Sequence, residues 1–197
     1  MIKVLITPEA KAKLDTYIEL AKPDEITGFG LAEIIKDGNA VLITDIFIIS
    51  QKVSSASAEI KPRDIADFLE EFIKEGKNPA NIRVWWHSHP FSHHPHYSGI
   101  DETTMKTINS NVDWFVYILG GGDGEYNVRV DILRPFKLSL ENLSLEIFVP
   151  ISEEMRSVLE KEVREKVKRS PWLLEYRYYY FDDPKNFQKE SRRKKWS

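Results

Sequence analysis

The sequence predicts an α/β domain, a sheet with helices on both sides, followed by a short appendage. The run from Val41 to Ile49 is almost continuously apolar, as expected of a strand that is covered on both faces. Thr7, Pro8 and Glu9 have the pattern of a helix start, and apolar residues follow at helical spacing. A second amphipathic stripe follows Pro62. A chain of 197 residues can bury one substantial core, and it leaves no room for a second enzyme domain.

The first quarter of the chain predicts three strands and one helix. Residues 2–6 form an edge strand or a strand that leads into the sheet, and the helix from Pro8 ends at Pro23. Two β-rich runs, 26–35 and 40–49, are joined by Asp37 and Gly38, a hairpin signal. They are expected to pair antiparallel.

The next segment predicts a loop over 50–57, a short strand over 58–60 and a helix that opens at Pro62 and stops at Gly76. The buried stripe of that helix is Ile65, Phe68, Leu69 and Phe72. A turn at Asn78 and Pro79 then leads into a strand that contains Trp85 and Trp86. Because side chains alternate along a strand, we expect one of these rings in the core and one near the residues that follow.

Two further strands are predicted around a glycine-rich turn. Residues 114–119 form a buried strand, and residues 126–132 alternate as a second strand. A phosphate-binding loop at Gly120–Gly124 would need a Lys-Ser/Thr pair that opens a helix, and no such pair follows, so a hairpin loop is favoured. A last strand is expected over 143–149.

The segment from His87 to Asp101 predicts a metal site. His87 and His89 are separated by one residue at the end of a strand, so they project to the same side. Ser98 is a plausible helix N-cap with Asp101 in the first turn, which can orient that carboxylate toward the same ion. A catalytic zinc takes three such protein ligands and leaves a fourth position open.

The whole spacing, His87-Ser88-His89-Pro90, seven residues, Ser98, two residues, Asp101, resembles the signature of the JAMM (MPN-plus) metalloproteases. The resemblance implies a cytidine-deaminase-like mixed sheet flanked by helices. It also implies a single zinc on His87, His89 and Asp101, with Ser98 donating a hydrogen bond to the developing oxyanion.

The same family has a glutamate upstream, followed two residues later by a glycine and an apolar run. Glu25 and Gly28 fit this pattern, whereas Ala32 stands where the family often has a second glycine. The resemblance implies that Glu25 takes a proton from water and later delivers it to the leaving amine.

Related proteins cleave the bond after the C-terminal glycine tail of ubiquitin or a ubiquitin-like modifier. They hold that tail as an added strand at a sheet edge. The resemblance thus implies a zinc isopeptidase that acts on a ubiquitin-like protein or its conjugates. Trimming of a sulfur-carrier precursor is a variant of the same chemistry. The alternative of another class is a non-catalytic MPN-type scaffold, which the complete ligand set disfavours.

Composition excludes several other classes. The chain contains no cysteine, which rules out disulfides, thiol nucleophiles and the Pro-Cys-x-x-Cys half of a nucleobase deaminase site. A net charge of −3 gives no overall electrostatic footprint for nucleic acid. Neither a membrane-spanning run nor a secretory signal is apparent, so a cytoplasmic protein is expected.

Two regions remain open. His93, His94 and His96 can be auxiliary metal ligands, but a place on the substrate rim is preferred because the motif is complete without them. Residues 1–150 are predicted to form the metalloprotease domain, and 151–197 a charged helix with an aromatic and basic tail. For the tail from residue 170 to 197, folding back or pairing in a homodimer is favoured over a surface for nucleic acid.

Overall fold

The structure is a computed structural model and describes residues 2–35, 38–149 and 153–166. The chain divides into two compact units, Met1–Val149 and Pro150–Ser197. In the second unit the described part is one helix. The turn residues Lys36 and Asp37 and the predicted tail over 170–197 lie outside the described residues.

The first unit contains ten strands and three helices in its described part. The strands are β1 (Lys3–Ile6), β2 (Thr27–Ile35), β3 (Ala40–Ile48), β4 (Lys52–Ser54), β5 (Ser57–Glu59), β6 (Ile82–His89), β7 (Trp114–Gly121), β8 (Tyr126–Ile132), β9 (Leu138–Leu143) and β10 (Leu145–Ile147). The helices are α1 (Pro8–Ala21), α2 (Pro62–Lys74) and α3 (Gly99–Ile108), with a 3₁₀ turn at Pro79–Asn81. Helix α4 (Glu153–Lys166) belongs to the second unit.

Eight strands form one mixed sheet in the order β10-β1-β3-β2-β6-β7-β8-β9, and β4 pairs with β5 in a separate hairpin. Strand β1 is parallel to both β10 and β3, and β6 is parallel to β7. The remaining pairs of the large sheet are antiparallel. The prediction of a mixed α/β sheet with flanking helices is confirmed at this level.

Three strand predictions differ from the structure. Strand β1 does not lie at an edge of the sheet, because β10 covers its outer side. The strand predicted over 143–149 is instead the end of β9 and the short β10, separated at Ser144. Residues 52–54, expected in a loop, form β4. Strands β4 and β5 are both largely exposed, so neither strand has the apolar pattern that would indicate it in the sequence.

Helix α1 covers one face of the sheet. Ala10, Leu14 and Ile18 pack in a cluster with Trp86 and with apolar residues of six strands. The indole of Trp86 lies across Gly28, where a Cβ would come within 2.8 Å of the ring, and its Nε1 donates to the carbonyl oxygens of Phe29 and Phe47.

Helices α2 and α3 contribute to the opposite face. Met105 of α3 is buried against Trp85 and Tyr117, and Phe72 of α2 meets the ring of Phe47 edge-on. Trp85 and Trp86 thus point to opposite faces. Among the described residues, no helix has the length and apolar character needed to cross a membrane.

Candidate metal centre

The two motif histidines lie where β6 ends, on the face of the sheet that α3 covers. His87 stacks on Trp85 with ring centroids 4.5 Å apart, which places both side chains on the same face. His87 is buried, and His89 is half-buried at the strand end. The prediction that one tryptophan belongs to the core and the other lies near the site is therefore confirmed.

The third residue of the centre is held by the start of α3. Ser98 is the N-cap, and its Oγ accepts a hydrogen bond from the backbone N–H of Asp101 at 3.2 Å. In return, Oδ2 of Asp101 accepts from the backbone N–H of Ser98 at 2.6 Å. This reciprocal capping box satisfies two amides at the helix end and fixes the Asp101 carboxylate, which is only 7% exposed.

The ligand atoms of His87, His89 and Asp101 converge. The two Nε2 atoms lie 3.2 Å apart, and the carboxylate oxygens of Asp101 lie 3.1 Å from Nε2 of His87 and 3.7 Å from Nε2 of His89. For metal–ligand bonds of about 2.0–2.1 Å, the ligands of a tetrahedral zinc are separated by about 3.3 Å. In the described part of the chain, this is the group of three or more candidate ligands that is close enough to hold a metal ion.

The electrostatics of the centre favour the forms that bind a cation. Burial acts to raise the pKa of Asp101, but hydrogen bonds and charge from His87, together with the hydrogen bonds from Ser98, lower it to about 2. Burial and the neighbouring His87 lower the pKa of His89. Neutral imidazole and ionised carboxylate are the states that coordinate metals.

The two nitrogens of the His87 ring have different surroundings. Nδ1 of His87 has no hydrogen-bond partner among the described residues, although its Nε2 faces the two other side chains. Two facing imidazole nitrogens and one carboxylate form hydrogen bonds only when a facing nitrogen carries a hydrogen, whereas a divalent cation uses a lone pair from each of the three groups. The donor set, two nitrogens and one oxygen, matches zinc chemistry.

Strand pairing brings the segment that contains Glu25 to the end of β6, where His89 lies. Thr27 lies opposite His87 in the antiparallel pair of β2 and β6, and the backbone N–H of Ser88 donates to the carbonyl of Ile26. Continuing this register places Glu25 beside His89. The side chain of Glu25 interacts electrostatically with both His89 and Asp101, but it lies outside the group of candidate ligands.

The environment of Glu25 suits a proton acceptor. Burial raises the pKa of Glu25; the charge of His89 acts in the opposite direction, and that of Asp101 adds to the rise. A carboxylate with a raised pKa is a stronger base. The backbone N–H of Glu25 donates to the carbonyl of Ser54 at 2.8 Å, so β4 fixes the segment that contains this acid.

Sequence reasoning missed the residues that hold these strands together near the centre. The buried Ser88 uses its Oγ to accept from the N–H of Ile26, and the amide of Gln51 both accepts from the N–H and donates to the carbonyl of Thr27. The hydroxyl of Thr27 donates to the carbonyl of Trp86. Ser88 lies within the motif, but the sequence does not indicate its hydrogen bond to Ile26. Nothing in the sequence indicates the role of Gln51.

The loop histidines do not join the metal group. Nδ1 of His93 lies 3.3 Å from a carboxylate oxygen of Asp123, and Nδ1 of His94 lies 3.1 Å from one of Glu125. Both rings are largely exposed. These contacts connect the loop after Pro90 to the glycine-rich turn between β7 and β8, and His96 lines a shallow cavity beside them.

No protein-family model and no curated protein matches this chain. What this centre does must therefore be argued from its own residues.

Proposed function

We propose that this chain is a zinc-dependent peptidase of the JAMM type, which hydrolyses the peptide or isopeptide bond after the C-terminal glycine tail of a ubiquitin-like protein. One observation supports this above all others. Three candidate metal ligands from β6 and α3 converge, and Glu25, two residues before β2, interacts electrostatically with two of them without joining the ligand group.

In this proposal His87, His89 and Asp101 hold the zinc. When bound, zinc supplies Lewis-acid chemistry: it polarises a carbonyl and makes water easier to deprotonate. The remaining chemistry belongs to the chain. Two of the three ligands are already supported, His87 by ring stacking on Trp85 and Asp101 by the capping box, so these two are held in one geometry before substrate arrives.

Glu25 is the general base and then the general acid. Its carboxylate removes a proton from the water that attacks the scissile carbonyl, and it returns that proton to the leaving amine. The raised pKa of Glu25 supports both steps. The carboxylate is a stronger base toward water, and the carboxylic acid then retains the proton until it is transferred to the leaving amine.

Ser98 stabilises the negative charge that develops on the carbonyl oxygen. In the folded chain its Oγ accepts from the amide of Asp101, and this leaves the hydroxyl proton available for donation. The same side chain thus has two roles, one as a helix cap and one as an oxyanion donor.

A segment beside Glu25 is the proposed site for the substrate tail. The hairpin of β4 and β5 is a separate two-stranded sheet, so its strands have edges available for an extended peptide. Its link to the backbone of Glu25 through Ser54 would place a peptide on that edge near the base.

The test is incubation of the zinc-loaded protein with a panel of ubiquitin-like fusions and isopeptide conjugates, with product masses read by mass spectrometry. We expect cleavage after the terminal glycine of at least one member, and no cleavage by Glu25→Gln. Equal cleavage by Glu25→Gln, or none by the zinc-loaded parent, would contradict the proposal. His89→Ala separates a peptidase from an assembly scaffold, because a scaffold keeps its function in both variants.

A further inference from the structure

A largely buried arginine contacts the first turn of α3. Arg129 is on β8, and its side chain is 12% exposed. Its guanidinium makes a two-pronged contact with the buried carboxylate of Asp131, at 2.7 Å through Nε and 3.0 Å through Nη2. Its Nη1 donates to Oε1 of Glu102 at 2.6 Å. Glu102 is the residue that follows Asp101 in the helix.

The charge of this arginine is secure. Burial acts to lower the pKa of Arg129, but hydrogen bonds and charges from Asp131 and Glu102 outweigh burial and raise it. The planar guanidinium presents several donors in a fixed arrangement, which makes it suited to hold two carboxylates at a defined angle. Its further neighbours include the ring of Tyr117, the hydroxyl of Ser139 and, at 3.7 Å, the carboxylate of Glu141.

The contact constrains the rotation of the helix. Consecutive residues in an α-helix point about 100° apart around its axis. When Glu102 is fixed on Arg129, the direction of the preceding residue is fixed as well, and that residue is Asp101. On the other side of the capping box, the hydroxyl of Tyr97 bonds the carbonyl oxygens of Tyr117 and Asn127. The segment from Ser98 to Asp101 is thus attached to β7 and β8 at both ends.

We propose that Arg129 is a positioning residue for the metal centre: by holding Glu102 on β8, it sets the rotation of α3 and directs the carboxylate of Asp101 toward His87. This inference rests on the proposed metal-binding role of Asp101. Arg129 touches neither Asp101 nor the two histidines in any contact described above. Its effect passes through Glu102 and the helix backbone.

Glu102 is the better place for the test. Removing Arg129 leaves the carboxylate of Asp131 buried without its partner, which destabilises the fold for unrelated reasons. Glu102 is partly exposed, so Glu102→Gln keeps the shape and replaces the charge-assisted contact by a weaker hydrogen bond to a neutral amide oxygen. Glu141→Gln is the matched control, because Glu141 faces the same guanidinium at 3.7 Å, is largely exposed, and belongs to β9 rather than α3.

The experiment measures the zinc affinity of each full-length variant by competition with a chromophoric chelator, together with thermal unfolding and cleavage of the best substrate. We expect Glu102→Gln to weaken zinc binding by about 10- to 100-fold, the loss typical of residues that support a metal ligand. Glu141→Gln should bind zinc like the parent. Similar unfolding temperatures of the two variants would show that the fold is intact in both.

The outcomes separate this inference from the proposed function. Equal zinc affinity in the two variants overturns the positioning role, and the peptidase proposal stands if the parent still cleaves. Weakened zinc binding in Glu102→Gln alone supports the positioning role even if no conjugate is cleaved. A parent that binds no zinc overturns both.

Discussion

Helices α1 and α3 begin in the same way and use the beginning for different purposes. Each has a hydroxyl N-cap that accepts from the amide three residues on: Thr7 from Ala10 at 3.3 Å, and Ser98 from Asp101 at 3.2 Å. In both helices that third residue points inward and is almost fully buried. In α1 the buried residue is an alanine, and in α3 it is an acid.

The residues one position earlier show the opposite arrangement: the acid is in α1 and the apolar residue is in α3. Glu9 of α1 is exposed, as expected of a first-turn acid, whereas Ile100 of α3 is 79% exposed. Burying a carboxylate and exposing an isoleucine is unfavourable for stability unless the acid finds partners. Asp101 finds them in His87, His89 and the amide of Ser98. The inverted pattern at this helix start therefore distinguishes Asp101 as a candidate functional residue rather than a packing residue.

The largest effect is expected when the buried acid of α3 is removed. Asp101→Asn should reduce the affinity for zinc by more than the 10- to 100-fold that is typical of a supporting residue. The reason is that an amide is a poor ligand, so one of the three donors is lost. Zinc affinity and bound zinc per chain measure the loss. Glu9→Gln, the matching acid in α1, should bind like the parent. An Asp101→Asn protein that retains the parent's affinity would refute the ligand assignment.

Glu25→Gln should leave zinc bound and abolish most turnover. The acid lies outside the ligand group but within electrostatic reach of it, so its loss removes a proton-transfer step worth about 10²- to 10⁴-fold. Turnover and zinc content are measured on the same preparation. Glu33→Gln, at an exposed glutamate of β2, is the control and should behave like the parent. Loss of zinc together with turnover would make Glu25 a ligand instead.

Ser98→Ala should lower turnover by about 10²- to 10³-fold, the loss typical of one oxyanion donor. It should also reduce the free energy of unfolding by about 1 kcal/mol, because the cap is lost at the same time. Steady-state kinetics and urea denaturation measure the two effects. Full turnover in this variant would leave Ser98 with its capping role alone.

Thr7→Ala should show the smallest effect and should change stability only. The N-cap of α1 has the same geometry, so the free energy of unfolding should fall by about 1 kcal/mol. Turnover of the folded protein should not change, since the helix start faces the apolar cluster around Leu14 and Ile18. A turnover loss comparable to that of Ser98→Ala would remove the distinction between the two helices.

Much of the two helices could be read from the sequence, because caps and apolar spacing are local signals. Thr7 and Pro8 marked the start of α1, and Ser98 marked that of α3. The alternation of Trp85, Trp86 and His87 likewise assigned each side chain to a face of the sheet. The spacing of the motif named the residues that the structure brings together.

The strands at the sheet edges could not be read in the same way. The exposed pattern of β9 gives no strong apolar signal, and Asn142 adopts a positive φ of 54° near its end, which separates it from β10. Which strands pair depends on contacts between distant residues. For the same reason the sequence does not indicate Arg129. Its role depends on contacts with Glu102 and Asp131, and these follow from the packing of α3 on β8 rather than from a local pattern.

The close approach of β2 to Trp86 has a consequence for Glu25. A methyl group at position 28 would fall 2.1 Å from the carbonyl oxygen of Phe47 and 2.8 Å from the indole, so the backbone has no room for it. Strand β2 begins two residues after Glu25, and any shift that admits a larger side chain also moves the acid. The position of Glu25 thus depends on the thickness of an aromatic ring on the far face of the sheet. A Gly28→Ala protein is expected to keep Glu25 and the three candidate ligands and still to place the acid too far from them.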